Sequence, residues 1–132
     1  SSATVPFAAA ALGVEPARIA KTLSFKADSG ALLVVTAGDA RIDNKKFKNT
    51  FGFKAKMLTS EEVIEYTGHS IGGVCPFAIN SDDVKIYLDV SLKRFTTIYP
   101  ACGSSNSAIE LTCYDLEKIS KALDWVDICN IS

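Results

Sequence analysis

The tightest constraint in this sequence is two apolar patterns that meet at one turn. Leu23 and Phe25 alternate with Thr22, Ser24 and Lys26, the period-two pattern of a half-buried strand. Asp28, Ser29 and Gly30 then supply turn chemistry, and residues 31–36 form a continuous apolar strand. Together these segments predict a hairpin.

The rest of the chain interleaves helices and strands irregularly. Thr4 is expected to cap an alanine-rich helix that stops at Gly13, and Glu15-Pro16 restarts a short helical turn through Ile19. Asp43 or Asn44 caps a short helix with Phe47 and Phe51 one turn apart and Gly52 at its end. Residues 53–58 read as a short strand. Thr59-Ser60-Glu61-Glu62 is a capping box, and its helix stops at Gly68. Further strands are expected at residues 84–90, 95–100 and 108–111. Thr112 caps a last helix with Leu116, Ile119 and Leu123 at helical spacing, and residues 125–128 add a final short strand. There is no repeat, linker or low-complexity tract. The pattern predicts an α+β fold rather than a doubly wound one.

A length of 132 residues suits one domain, taken here as residues 1–132. Hydrophobic residues at 48% and charged residues at 22% place it in the globular class. The formal net charge is -1, so a nucleic-acid interface must rest on local clustering. The four cysteines, Cys75, Cys102, Cys113 and Cys129, form no CxxC pair, and His69 is the single histidine. That argues against a zinc site and for free thiols in a reducing cytosol. No apolar run reaches the ~18–20 residues of a membrane helix, and Ser1-Ser2-Ala3-Thr4 does not read as a signal peptide. The expected location is cytoplasmic.

The loop Gly72-Gly73-Val74-Cys75-Pro76 draws attention chemically. Two glycines let a ligand approach the backbone, and amide N–H groups there could meet a carboxyl ester or its oxyanion. An ordinary tight turn has the same composition. Gly103, Ser104, Ser105, Asn106 and Ser107 form a small polar loop able to hydrogen-bond a sugar or an amino acid, or simply to turn the chain. Lys21 lies where a helical turn passes into a strand, where it could meet a phosphate or an ester oxygen; a solvated surface lysine is the plain alternative. Between Arg41 and Lys56 there are six basic residues, Arg41, Lys45, Lys46, Lys48, Lys54 and Lys56, with Asp43 the only acid. Phe47, Phe51 and Phe53 are interleaved with them, so the stretch is either a phosphate-binding face or a solvated helix over core phenylalanines. Cys75 and His69 also raise a cysteine-hydrolase reading, set against a cysteine that is merely a small buried residue.

Taken as an ordered set, these segments resemble the YbaK/prolyl-tRNA synthetase-associated family. Ile19-Ala20-Lys21-Thr22-Leu23 is similar to the entry of its first strand, and Arg41 to Phe47 to its basic helix start. Thr67-Gly68 followed by Gly72 to Phe77 is similar to its GxxxP loop, and Gly103 with Ile109-Glu110-Leu111 to its glycine loop and following strand. The likeness runs from about Thr4 to Leu123. It implies a mixed, barrel-like sheet flanked by helices, and a metal-independent deacylase without cofactor. Such an enzyme works in trans on mischarged aminoacyl-tRNA, most often proline tRNA. Its partners would be the tRNA acceptor end and an aminoacyl-tRNA synthetase, not DNA or membrane. Lys21, Gly72 and Gly73 are the implied catalytic positions. Val74, Cys75, Pro76, Gly103, Ser104 and Ser105 would bind substrate, and Lys45, Lys46 and Lys48 the tRNA. Family members usually carry more residues before the first helix, so an N-terminal segment is expected to be missing. The stretch from Ser104 to Ala108 lacks the charges that some members place there. A non-catalytic tRNA- or nucleotide-binding module of the same fold is the competing expectation.

Overall fold

The computed structural model describes residues 4–69, 74–77, 79, 81–101 and 109–131. Helix α1 (Thr4–Leu12) and a 3-10 turn (Pro16–Arg18) lead into strand β1 (Ile19–Lys26), which turns back into β2 (Ala31–Ala37). Next come β3 (Ala40–Ile42), α2 (Asn44–Phe51), α3 (Ser60–Thr67) and β4 (Val84–Asp89). A 3-10 segment (Val90–Arg94), β5 (Tyr99–Pro100), α4 (Cys113–Ser120), β6 (Asp124–Val126) and β7 (Cys129–Ile131) complete the order.

The main sheet has the order β5-β1-β2-β4-β6. β1 and β2 are antiparallel, as the hairpin reading requires, while β1–β5, β2–β4 and β4–β6 are parallel. A separate antiparallel ladder joins β3 to β7. The result is the expected α+β domain: a mixed sheet flanked by helices.

All of β2 is buried, because it lies mid-sheet with both faces covered. The hairpin corner depends on Gly30 at φ +89°, where a Cβ would collide with the Asp83 carbonyl oxygen. Close approach there lets the Ala31 amide donate to the same oxygen at 2.8 Å and start the β2–β4 pairing.

Helix α2 docks through aromatic packing. Phe47 lies 4.9 Å from Phe25 and 4.8 Å from Phe51, ring centre to ring centre, and Phe51 lies 5.2 Å from Tyr87. Asp43, rather than Asn44, is the cap, accepting from the Lys46 amide. The Thr59–Glu62 capping box forms as expected.

Several boundaries differ from the sequence expectation. Residues 53–58 make only one bridge, Phe25 to Met57, flanked by Lys26 N–H to Lys56 O and Leu58 N–H to Ser24 O. β4 ends at Asp89 because its carboxylate accepts from the Ser91 amide and caps the 3-10 segment. Of the expected strand at 95–100, only Tyr99 and Pro100 pair with β1, while Ile98 bridges Leu111 instead. Residues 109–111 contribute one bridge, Ile98 to Leu111. Of the three α4 positions only Leu116 is buried; Ile119, still within the helix, is 50% exposed, and Leu123, beyond the helix end at Lys121, is 60% exposed. The final expected strand is β6, which ends at Val126, and β7 follows it as a strand the sequence reading did not anticipate.

Candidate active site

Lys21 shares its sheet face with Leu23 and Phe25, opposite Thr36 of β2. It is half-buried, and its Nζ donates to the Gly38 carbonyl at a long 3.4 Å. Burial lowers its pKa from the ordinary lysine value; Cys129 and Asp39 pull it back up, and Arg41 pushes it down. The Gly38–Asp39 turn is wedged in place, since a Cβ on Gly38 would collide with the Pro16 carbonyl oxygen. Asp39 is gripped at both oxygens by Arg94, Nη1 at 3.0 Å and Nη2 at 2.5 Å, and this holds its carboxyl below the usual range.

A buried polar net supports this corner. Asp89, 1% exposed, accepts from the Ser91 and Ile128 amides, both at 2.9 Å. Ser91 Oγ accepts from the Ala37 amide at 3.1 Å. The ends of β2 and β4 are thereby tied to the C-terminal ladder. Cys129, buried beside Asp89, has its thiol pushed up to about 12 by burial first and then by that carboxylate, so it stays protonated and unreactive.

Gly72, Gly73, Gly103, Ser104 and Ser105 lie outside the described residues. What precedes the glycine pair is well held: Thr67 Oγ1 donates to the Val63 carbonyl at 2.6 Å and accepts from the His69 amide at 3.0 Å. The Cys75 amide donates to His69 Nδ1 at 3.2 Å. Val74 and Pro76 are buried, Val74 with Ala31, Leu33 and Ile86. Those residues lie on the sheet face opposite Lys21. The structure therefore groups Lys21 with the Asp39 turn, not with the described loop residues.

One sequence expectation about sulfur fails, and the alternative set against a plain structural cysteine falls with it. Cys75 is disulfide-bonded, so the expectation of free thiols holds only for Cys113 and Cys129, and Cys102 lies outside the described residues. A disulfide sulfur offers no thiolate, and His69 Nδ1 is occupied by a backbone amide. A Cys75–His69 hydrolase is thus not assembled.

The basic stretch divides in two. Lys45, Lys48 and Lys54 line a cavity of about 370 Å³ with Asn44 and Ala55. Lys46 instead reaches Asp127 at 3.2 Å and the Cys129 carbonyl at 2.9 Å, pinning β7. Sequence reasoning missed Asp39, Asp89, Ser91 and Arg94. The contacts that make them part of the site, Asp39 to Arg94, Ser91 to Ala37 and Asp89 to Ile128, join segments distant in the chain. Among the described residues no cluster of His, Cys, Asp and Glu could hold a metal, and no helix is long and apolar enough to cross a membrane.

Comparison with known proteins decides the family. The aminoacyl-tRNA editing domain model matches residues 1–119. The chain belongs to that family. The editing domain is 58% identical over 130 residues to the uncharacterized protein YwhH of Bacillus subtilis (strain 168), covering 98% of this chain and 82% of YwhH. It is 35% identical over 106 residues to the proline–tRNA ligase of Bacillus pumilus (strain SAFR-032), covering 80% of this chain but only 18% of the ligase. A crystal structure of a candidate trans-editing enzyme for prolyl tRNA synthetase superposes with a TM-score of 0.85 at 32% identity, covering 96% of this chain and 79% of that one. The editing domain is thus related to a part of proline–tRNA ligases and shares its fold with the trans-editing candidate.

Proposed function

We propose that this protein is a cytoplasmic trans-editing hydrolase that removes a wrong amino acid from mischarged tRNA, with proline tRNA as the substrate type. The observation that carries the reading is Lys21: a half-buried side chain whose ammonium makes, among the described residues, one long hydrogen bond, at the strand entry where the resemblance implies a functional lysine.

The reaction is ester hydrolysis. A water oxygen bonds to the ester carbonyl carbon, the bond from that carbon to the ribose oxygen breaks, and the ribose oxygen takes up a proton. An ester is already activated, so positioning and carbonyl polarisation suffice. Lys21 holds the phosphate or sugar of the terminal nucleotide; its protonated form is the useful one, because an ammonium attracts anionic oxygen. Amides of Gly72 and Gly73 would donate to the carbonyl oxygen, where oxyanion donors are worth about 3–4 kcal/mol each. Val74, Cys75 and Pro76, with Gly103, Ser104 and Ser105, border the aminoacyl group. Since Lys21 and Val74 belong to different sheet faces, they hold different parts of the substrate. Lys45 and Lys48, joined by Lys54, take tRNA phosphates. An aminoacyl-tRNA synthetase is the natural partner for such a substrate, and no metal takes part.

The test is a deacylation panel of mischarged tRNAs with purified protein. Release of amino acid from at least one member, unaffected by chelator, is expected. Binding without release across the whole panel would instead make the protein a tRNA-binding module.

A further inference from the structure

The Gly38–Asp39 turn sets an anion beside the Lys21 ammonium. The Lys21 Nζ already reaches the carbonyl of Gly38, the residue next to Asp39. Yet the ion pair that Asp39 makes is with Arg94, and among the described residues Lys21 makes none. Arg94 is itself fixed on several sides. Its Nε donates to the Ser91 carbonyl at 2.8 Å, and its guanidinium lies 4.7 Å from the Phe95 ring centre. Ser91 is locked in turn by Asp89 and by the Ala37 amide.

We propose that Arg94 is a positioning residue for Lys21. By occupying both oxygens of Asp39 it keeps that carboxylate off the ammonium, which is left to engage the substrate. The inference rests on the role given to Lys21 above.

Among the described residues, Cys129, Asp39 and Arg41 bear on the Lys21 charge. Cys129 stays protonated and Arg41 shares the sign of Lys21, so among these Asp39 is the anion able to capture it. The two already sense each other, since Asp39 pulls the lysine pKa up and Lys21 pulls the carboxyl pKa down. Without the guanidinium, the carboxylate is released toward Lys21, whose charge already acts on it. A substrate phosphate would then have to displace an intramolecular anion. A planar two-pronged donor suits the guarding task, because it satisfies both carboxylate oxygens at once.

The experiment compares Arg94→Gln, Asp39→Asn and the double variant with wild type. Readouts are single-turnover deacylation, melting temperature and the Lys21 pKa. The pKa comes from carbon NMR of protein carrying labelled lysine, with the signal assigned by its loss in Lys21→Met. Arg94→Gln is expected to slow turnover about fivefold, the factor an ion pair at the upper end of the partly exposed range represents. Its Lys21 pKa should rise. The double variant should recover turnover and bring the pKa back down, while melting no higher than Arg94→Gln. Recovery in a protein that still lacks the ion pair would separate guarding from mere fold support. A double variant as slow as Arg94→Gln overturns the proposal, and so does an Arg94→Gln protein whose Lys21 pKa does not rise. If wild type deacylates nothing, the functional reading fails by itself. The NMR comparison then still decides whether Arg94 keeps Asp39 from Lys21.

Discussion

Replacing Lys21 with alanine is expected to separate activity from stability. The Nζ makes a single long bond to a carbonyl, 3.4 Å, and forms no ion pair among the described residues. Losing that bond costs at most ~0.5–1.5 kcal/mol, the net worth of an ordinary hydrogen bond. Against this stands the relief of a half-buried charge, since burial is the largest influence on the Lys21 pKa. The two effects oppose, so the melting temperature should move little, and Lys21→Met, which keeps an apolar stem, should match or exceed wild type. Deacylation should fall much further. Misplacing the ester by about an ångström costs ~100-fold. Lys21→Arg should also be impaired, because a planar guanidinium does not replace a compact ammonium. The folded pKa lies below the unfolded one, so between the two values the unfolded chain binds more protons and Lys21 makes stability rise with pH. Lys21→Met should lose that alkaline gain. Turnover, which needs the ammonium, should decline as pH passes upward through the lowered pKa. The assay pairs single-turnover deacylation with thermal melting on the same preparations. A folded Lys21→Ala protein with near wild-type turnover would refute the reasoning, and a much lower melting temperature would show that the lysine is structural.

Changing Lys45, Lys48 and Lys54 together to glutamine should weaken tRNA binding and flatten its salt dependence, by about 0.7–0.9 in the slope of log affinity against log salt for each phosphate left without its lysine. An unchanged slope would place the RNA elsewhere. Lys46→Gln should lower the melting temperature more than the affinity, because its ammonium holds Asp127 and the Cys129 carbonyl. Cys75→Ser should keep most turnover while costing about 2–4 kcal/mol of stability under oxidising conditions, the usual worth of a disulfide. Complete loss of turnover in the folded variant would return the sulfur to the chemistry. Phe47→Ala, at a fully buried ring, should cost about 3–5 kcal/mol by denaturant unfolding, and a cost below about 1 kcal/mol would show that the aromatic cluster does not anchor α2.

The segments that were legible in the sequence are those whose cause lies within a few residues. The β1–β2 hairpin follows from alternation on one side of Asp28-Ser29-Gly30 and a continuous apolar run on the other. Asp43 and Thr59 cap their helices because a side-chain oxygen can reach an amide three residues ahead. Lys21 could be singled out only because the order of several motifs resembled a family. What Lys21 touches could not be read. The Asp39–Arg94 pair, the Asp89 bond to Ile128 and the β3–β7 ladder all join segments far apart in the chain. The same holds for Lys45 and Lys46, adjacent and chemically identical, yet Lys45 lines one cavity with Lys48 and Lys54 while Lys46 lines another and pins the C-terminal strand. Periodicity and capping are properties of a short stretch of backbone and appear wherever its residues occur. Which charges meet depends on strand order and register, and these are set by how the whole apolar surface is buried at once.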